Sequence, residues 1–268
     1  MRVNPSDTSG LFRLDGRIAF VSGAAGHLGR AMAHGLAEAG AHVIVNGRKR
    51  ESLEALVTSI EAGKGSAEPA AFDVGDFAAA RKFFAARPRL DILVNNAITM
   101  TPRSFDTLSE KDFAETYGTG VIAPFEMARA ALPALREAVR KAGEASIVNI
   151  ASMYATVAPD ARIYSRPEQA SPLHYGPAKA ALLQLTRHLA AEFGKEHIRV
   201  NALVPGPFPR ESVSNADPGF AERLAARTML GRTAQADEIR GPLLFLASSA
   251  SSFVTGAALA VDGGWTVW

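Results

Sequence analysis

Seven short apolar runs punctuate the chain, and the segments between them carry apolar residues at helical spacing. The first run, GRIAFVSG (16–23), ends in glycine. In the stretch HLGRAMAHGLAEAG behind it, Leu28, Met32 and Leu36 fall on one helical face. AHVIVNG (41–47) reads as a buried strand, KRESLEALVTSIEAG as an amphipathic helix and EPAAFDV (68–74) as a third strand. DFAAARKFFAAR is then a helix, LDILVNNA (90–97) a strand, residues 109–142 one or two helices, and ASIVNIAS (145–152) a strand. After a proline-containing loop come a helix over about 174–195, the strand IRVNALVPG (198–206), further helix to about 249 and a last strand, AALAVDGG (257–264). Apolar strands alternating with helices predict a mostly parallel sheet covered on both faces. Right-handed crossovers restrict such an α/β chain to a doubly wound topology.

Composition narrows the picture without changing it. At 268 residues and 47% hydrophobic content the chain can bury a full core, and its length fits one α/β domain. The expected organisation is a flexible segment over 1–10 followed by one domain over 11–268. With 29 basic and 27 acidic residues the net charge is only +2, which gives no reason to expect nucleic acid as a partner. There is no cysteine, so disulfides, thiolate nucleophiles and cysteine-ligated metals are excluded. The six histidines show no paired spacing with carboxylates, so no metal is expected. The opening MRVNPSDTSG lacks the apolar core of a secretory signal, and no run of about 18 apolar residues could span a membrane. The default expectation is a soluble cytoplasmic protein.

Candidate chemistry gathers at the ends of the strands. In VSGAAGHLG the glycines 23, 26 and 29 lie between the first strand and the first helix. Glycine tolerates positive φ and lets backbone N–H groups approach a ligand, and a helix N-terminus favours an anion such as a pyrophosphate. An ordinary tight turn is the competing reading. FDV (72–74) and NNA (95–97) each close a predicted strand, and open parallel sheets bind ligands outside those ends. In SPLHYGPAKAALLQL (171–185), Tyr175 and Lys179 stand four apart, so both head groups can reach one place on a helix. Pro177 suits a first helical turn, where its missing N–H costs nothing.

Taken together, Ser22-Gly23 through Gly29, Asp73-Val74, Asn95-Asn96-Ala97, Ser152, Tyr175 through Lys179, Pro205-Gly206 and the terminal VDGG resemble the short-chain dehydrogenase/reductase family of classical type. The resemblance runs from about residue 11 to 268 and implies a single Rossmann-type sheet with a nicotinamide dinucleotide across its strand ends. It implies that Ser22, Gly23, Ala25, His27, Leu28 and Gly29 form the cofactor turn. Asp73 would meet the adenine with Val74 beside it, and Asn95 and Ala97 would border the adenosine ribose. Pro205 and Gly206 would cover the nicotinamide. Tyr175 would act as general acid/base, Lys179 would hold the nicotinamide ribose, and Ser152 would bond the substrate oxygen. An ordinary phenol, with a pKa of about 10, is a poor base near neutrality, and a neighbouring ammonium together with an oxidised nicotinamide would favour its anion. Competing readings make Asp73 a helix N-cap and let the asparagines satisfy buried backbone.

Which nicotinamide is indicated by VNGRKR after the second strand. Gly47 stands where relatives using NAD carry an aspartate, and Arg48, Lys49 and Arg50 offer cations to a 2′-phosphate. NADP(H) is therefore favoured and NAD(H) is the alternative; a solvated helix turn is the bland reading of RKR. The chain also departs from the family pattern. His27 replaces the middle glycine of the turn, where it either contacts phosphate or sits in solvent. Arg210 stands where a threonine is frequent, and Gly120 where an asparagine normally completes the catalytic tetrad, leaving space for water. The helix between Asp73 and Leu90 is about one turn short.

Between Ser152 and Tyr175 the chain carries roughly ten residues more than is usual, and loops on a rigid scaffold commonly build specificity. They include Tyr154, Asp160, Arg162, Tyr164, Arg166 and His174, to which Arg210 and Glu211 add from the far side. Such a polar wall suits a sugar, polyol or sugar acid, as in gluconate 5-dehydrogenase-like relatives; solvated loop residues or subunit contacts are the other reading. The expected protein is an NADP(H)-dependent oxidoreductase interconverting a secondary alcohol and a ketone. The contrasting hypothesis is a dinucleotide-binding regulator with vestigial catalysis. By analogy it is a homo-oligomer, dimer or tetramer, with Trp265 and Trp268 against a neighbour or against their own subunit.

Overall fold

The structure is a computed structural model that describes residues 8–165, 170–211 and 217–267. Arg166, Trp268 and residues 1–7 of the expected N-terminal segment lie outside the described residues. Seven strands form one sheet: Ile18–Val21 (β1), His42–Gly47 (β2), Ser66–Ala71 (β3), Ile92–Asn95 (β4), Ala145–Ile150 (β5), Ile198–Pro205 (β6) and Ala258–Val261 (β7). Their order is β3-β2-β1-β4-β5-β6-β7 and each pairing is parallel. This is the doubly wound topology that the alternating pattern predicts. The order reverses between β1 and β4, and there the connections leave toward opposite sides and open a crevice.

Helices cover both faces: His27–Glu38 (α1), Arg50–Ala62 (α2), Phe77–Ala85 (α3), Glu110–Tyr117 (α4), Ala123–Ala142 (α5), Tyr175–Phe193 (α6), Pro218–Ala225 (α7) and Arg240–Ala247 (α8). The strand period of two distributes the core between the faces. Ala19 and Val21 pack with Met32 and Leu36 of α1, whereas Phe20 between them turns to Phe84 of α3 and Leu135 of α5. None of the described helices is long and apolar enough to cross a membrane.

Two boundaries differ from the sequence reading, and a third, left there as one or two helices, is resolved into two. The third strand begins at Ser66 and stops before Phe72, which leaves Asp73 and Val74 in a turn beyond the sheet. Pro69 is tolerated within β3 because that strand is an edge. Residues 109–142 form α4 and α5 joined by a π-helical turn, Gly118–Ile122. The helix expected to continue to 249 is broken into α7, a turn at Ala236–Ile239, and α8.

The strand–turn–helix joint depends on the absence of a side chain at Gly29. A Cβ built there would lie 2.2 Å from the Gly23 carbonyl oxygen and 2.9 Å from the Ala24 Cα. Both are backbone atoms, so relief requires α1 to move off the turn. The Gly29→Ala variant is expected to lose about 1–3 kcal/mol, read as a lower urea midpoint at unchanged m-value.

Candidate active site

A cleft of about 620 Å³ runs along the carboxyl ends of the strands. Following the strand order, its wall takes in Asp73 and Arg48 beyond β3 and β2, the glycine turn and Ala97 beyond β1 and β4, and Ser152 beyond β5 with Tyr175 and Lys179 of α6. Of the residues predicted for the site, Gly23, Ala25, His27, Leu28, Gly29, Arg48, Asp73, Val74, Ala97, Ser152, Tyr175, Lys179, Pro205 and Gly206 all line it. Ser22 and Asn95 do not. They sit behind the wall and hold it in place.

The Ser22 hydroxyl accepts the N–H groups of Asn96 (2.9 Å) and Ala97 (3.0 Å) and donates to the Val94 carbonyl (3.3 Å). Asn96 Nδ2 returns two hydrogen bonds, to the carbonyls of Ser22 and Gly23. Gly23 itself turns at φ +62°, beside the Ala97 backbone, a conformation strained for any residue with a Cβ. Asn95 donates to Asn149 Oδ1, and Asn149 to Thr186 Oγ1, both at 2.9 Å, so a buried polar chain joins β4, β5 and α6. The asparagines thus satisfy buried groups between strands. Asp73 is not a helix cap: Asp76 caps α3, while Asp73 closes a turn on the Gly75 N–H at 2.8 Å. Its other carboxylate oxygen lies 3.9 Å from the Arg48 guanidinium, so the cationic patch after β2 has an acidic neighbour that the sequence reading did not place there.

Helix α6 starts on Tyr175, with Gly176 and Pro177 in its first turn. Gly176 allows the segment after Ser152 to pack against that turn, since a Cβ would fall 2.8 Å from the Tyr154 carbonyl oxygen. Lys179, one turn on and 3% exposed, donates to the Ile150 carbonyl at 2.6 Å, which leaves two of its three N–H donors for a ligand. Its Nζ stands 5.7 Å from the Tyr175 ring centre. Burial lowers the Lys179 pKa to about 8. Burial also raises the Tyr175 phenol above its ordinary value, opposed in part by a hydrogen bond with Ser152. Burial thus holds the phenol protonated in the protein alone; the expected pull toward phenolate involves the ammonium together with an oxidised nicotinamide.

Several cleft residues escaped the sequence reading, Asn46, Ser52, Leu53 and Thr99 among them. Ile98, directly after the Asn-Asn-Ala stretch, lines the cleft, as do Thr119 and Phe208. Ile98 meets Gly120: a Cβ on Gly120 would lie 2.9 Å from Ile98 Cδ1 and 3.3 Å from Cγ1. A side chain at this position would therefore meet Ile98 rather than open space. No sequence periodicity marks this contact, which crosses from the loop after β4 to the π-helical turn.

Among the described residues of the long loop several polar side chains bond one another, whereas both ring nitrogens of the buried His174 have no partner. The Tyr154 and Tyr164 hydroxyls bond each other at 2.7 Å, and burial raises the Tyr154 phenol further. Asp160 caps the turn Ala161–Ile163 and pairs with Arg162 at 2.8 Å. Trp265 packs inside its own chain on Met153, Ile163 and Leu224. Of the described polar residues singled out around the loop, Arg210 is the one that reaches the cleft wall. No cluster of His, Asp or Glu among the described residues could hold a metal ion.

A family model described as enoyl-(acyl carrier protein) reductase matches residues 23–266. Gluconate 5-dehydrogenase of Gluconobacter oxydans is 38% identical over 96% of this chain and 97% of its own. The chain belongs to the short-chain dehydrogenase/reductase family. As a member it is an oxidoreductase acting on CH–OH and carbonyl groups. Galactitol 2-dehydrogenase of Cereibacter sphaeroides is a further relative, 37% identical over 96% of this chain and 98% of its own. Among solved structures, a gluconate 5-dehydrogenase from Burkholderia cenocepacia in complex with NADP and tartrate aligns with a TM-score of 0.83 at 34% identity, covering 96% of this chain and 98% of that one.

The Ile98–Gly120 contact predicts a coupled pair in this dehydrogenase. Gly120→Asn is expected to lower stability by about 1 kcal/mol, because Ile98 must shift. In an Ile98→Ala background the same change is expected to cost little, so a double-mutant cycle on urea midpoints returns a coupling of about 0.5 kcal/mol or more.

Proposed function

We propose that this protein is an NADP(H)-dependent dehydrogenase/reductase that interconverts a secondary alcohol and a ketone on a polar sugar-, polyol- or sugar-acid-like substrate, with residues 11–268 as one dinucleotide-binding catalytic unit. The convergence of Tyr175, Lys179 and Ser152 in one cleft with an uncapped helix N-terminus carries this reading.

The donors present fit a dinucleotide. Gly23 turns with positive φ, α1 begins without a side-chain cap, and the Asn46 Oδ1 in the cleft wall is buried without a partner. Val74 and Ala97 border the cleft and Asp73 reaches it with a carboxylate for an amino group. Arg48, with Gly47 beside it, suits a 2′-phosphate. The bound nicotinamide supplies or accepts the hydride.

The remaining work falls to the chain's own residues. Ser152 orients the substrate oxygen. Tyr175, held protonated by burial, is ready to donate its proton to that oxygen in reduction; in oxidation it must first lose the proton and then accept the alcohol's. Lys179 fixes the ribose through its two free N–H donors and, as an ammonium, stabilises the phenolate that reduction leaves behind. Pro205 and Gly206 bound the cleft over the reacting ring. The NADP preference is supported by the Burkholderia relative's complex with NADP, and the substrate class by relatives named for gluconate and galactitol. Homo-oligomerisation is in keeping with the exposed Phe125 and Phe253.

The direct test is reduced-nicotinamide absorbance with NADP or NAD and a panel of sugar acids, aldoses and polyols. Turnover of one member names cofactor and substrate class; a folded, dinucleotide-binding protein inert to the whole panel would favour the regulator that Gly120 suggests. Tyr175→Phe is expected to cut turnover by about 10²–10⁴-fold while leaving dinucleotide affinity unchanged. Arg48→Gln is expected to weaken NADPH about tenfold or more and NADH little, as read by fluorescence titration. Equal loss for both would overturn the 2′-phosphate assignment.

A further inference from the structure

Two residues that depart from the family pattern, His27 and Arg210, come from distant parts of the chain and line the same cleft, close enough for the Arg210 charge to act on the imidazole. His27 is the first residue of α1, a 12-residue helix with no side-chain cap, so several backbone N–H donors at that end have no intrahelical partner. Its Nε2 is buried and without a hydrogen-bond partner, an arrangement that costs free energy unless a ligand or a protonated state relieves it. Arg210 lies five residues beyond β6, is exposed, and makes no ion pair or hydrogen bond with any described residue. The Phe208 backbone lies against the imidazole, where it favours the protonated ring.

We propose that His27 and Arg210 are a cationic clamp that closes on the diphosphate of the dinucleotide from two sides, and that His27 takes up a proton as the diphosphate binds. The inference rests on the dinucleotide reading above and adds a proton linkage that the backbone turn alone would not have. In the protein without ligand the His27 pKa is lowered, first by burial and then by the Arg210 charge, with the Phe208 backbone offsetting part. The other charges near α1 act elsewhere: Arg30, Glu38, Asp237 and Arg240 bear on His34, farther along the same helix. Glu211, next to Arg210, is exposed and forms no ion pair among the described residues.

A diphosphate between the two cations reverses the sign of the local field. The repulsion from Arg210 is neutralised, the anion favours imidazolium, and Nε2–H gains an acceptor. A group whose pKa is raised by the ligand binds a proton with it, so affinity rises as pH falls through the window between the two pKa values. Below the pKa of the free protein the gain levels off.

ADP-ribose is the probe, because it carries the diphosphate but neither the titratable 2′-phosphate nor the nicotinamide. Calorimetric titration of the full chain in two buffers of different ionisation heat reads the protons taken up per ligand. The expected result is a fractional uptake near neutral pH and an affinity that rises severalfold from about pH 8 to about pH 6, up to about tenfold per unit. His27→Gln, or His27→Asn should the first variant fold poorly, should abolish that component while leaving any uptake by Lys179 at more alkaline pH. Arg210→Gln should weaken ADP-ribose and raise the His27 pKa of the free protein, visible by NMR titration of the imidazole. Binding with no uptake, or with the same uptake in His27→Gln, overturns the clamp while the functional reading stands. Failure of ADP-ribose, NADP and NAD all to bind the folded protein overturns both.

Discussion

The pairing of β1 with β4 is the constraint on which the site depends. Every strand in this sheet is parallel, so every connection must cross over a face, and only at this pair do successive crossovers depart to opposite faces. The backbone there would diverge and leave unpaired N–H groups. Ser22 prevents this by accepting both the Asn96 and Ala97 N–H groups in one hydroxyl, and Asn96 by bonding back to the turn. Glycine turn and Asn-Asn-Ala segment thereby become a single rigid lip. Cleft geometry at the far end is inherited from the same sheet, since Ser152 follows β5 and Lys179 is tied to the Ile150 carbonyl at the end of that strand.

Burial sets the electrostatics of the catalytic end. Desolvation acts oppositely on Tyr175 and Lys179, raising the phenol and lowering the ammonium, so both are driven toward their neutral forms. The phenol is thereby kept protonated, while Lys179, with a pKa of about 8, is still mostly an ammonium at pH 7. In the glycine turn His27 is likewise shifted toward its neutral form, by burial and by the Arg210 charge.

The departures from the family pattern are absorbed in pairs. The missing side chain at Gly120 is matched by Ile98, which stands against that position from a different loop. Among the described residues of the long loop after Ser152, polar side chains bond one another: Tyr154 with Tyr164, Asp160 with Arg162. The loop shapes the site through its backbone, which packs on the first turn of α6 only because residue 176 has no Cβ. Specificity on this face is therefore a matter of shape as much as of polar contacts.

Fold class, strand order of appearance and the helix that carries Tyr175 and Lys179 were legible in the chain itself. Periodicities of 2 and about 3.6 are local, and the i, i+4 spacing fixes a shared helical face wherever the helix lies. The same locality explains what was not legible. The asparagine chain from Asn95 to Thr186, the Ile98–Gly120 contact, the approach of Asp73 to Arg48 and that of Arg210 to His27 all join residues distant in sequence whose meeting is decided by crossovers and packing. The protonation of Tyr175 belongs to the same class: a neighbouring lysine can be read from spacing, but the desolvation that outweighs it exists only once the sheet and its helices have closed around the phenol.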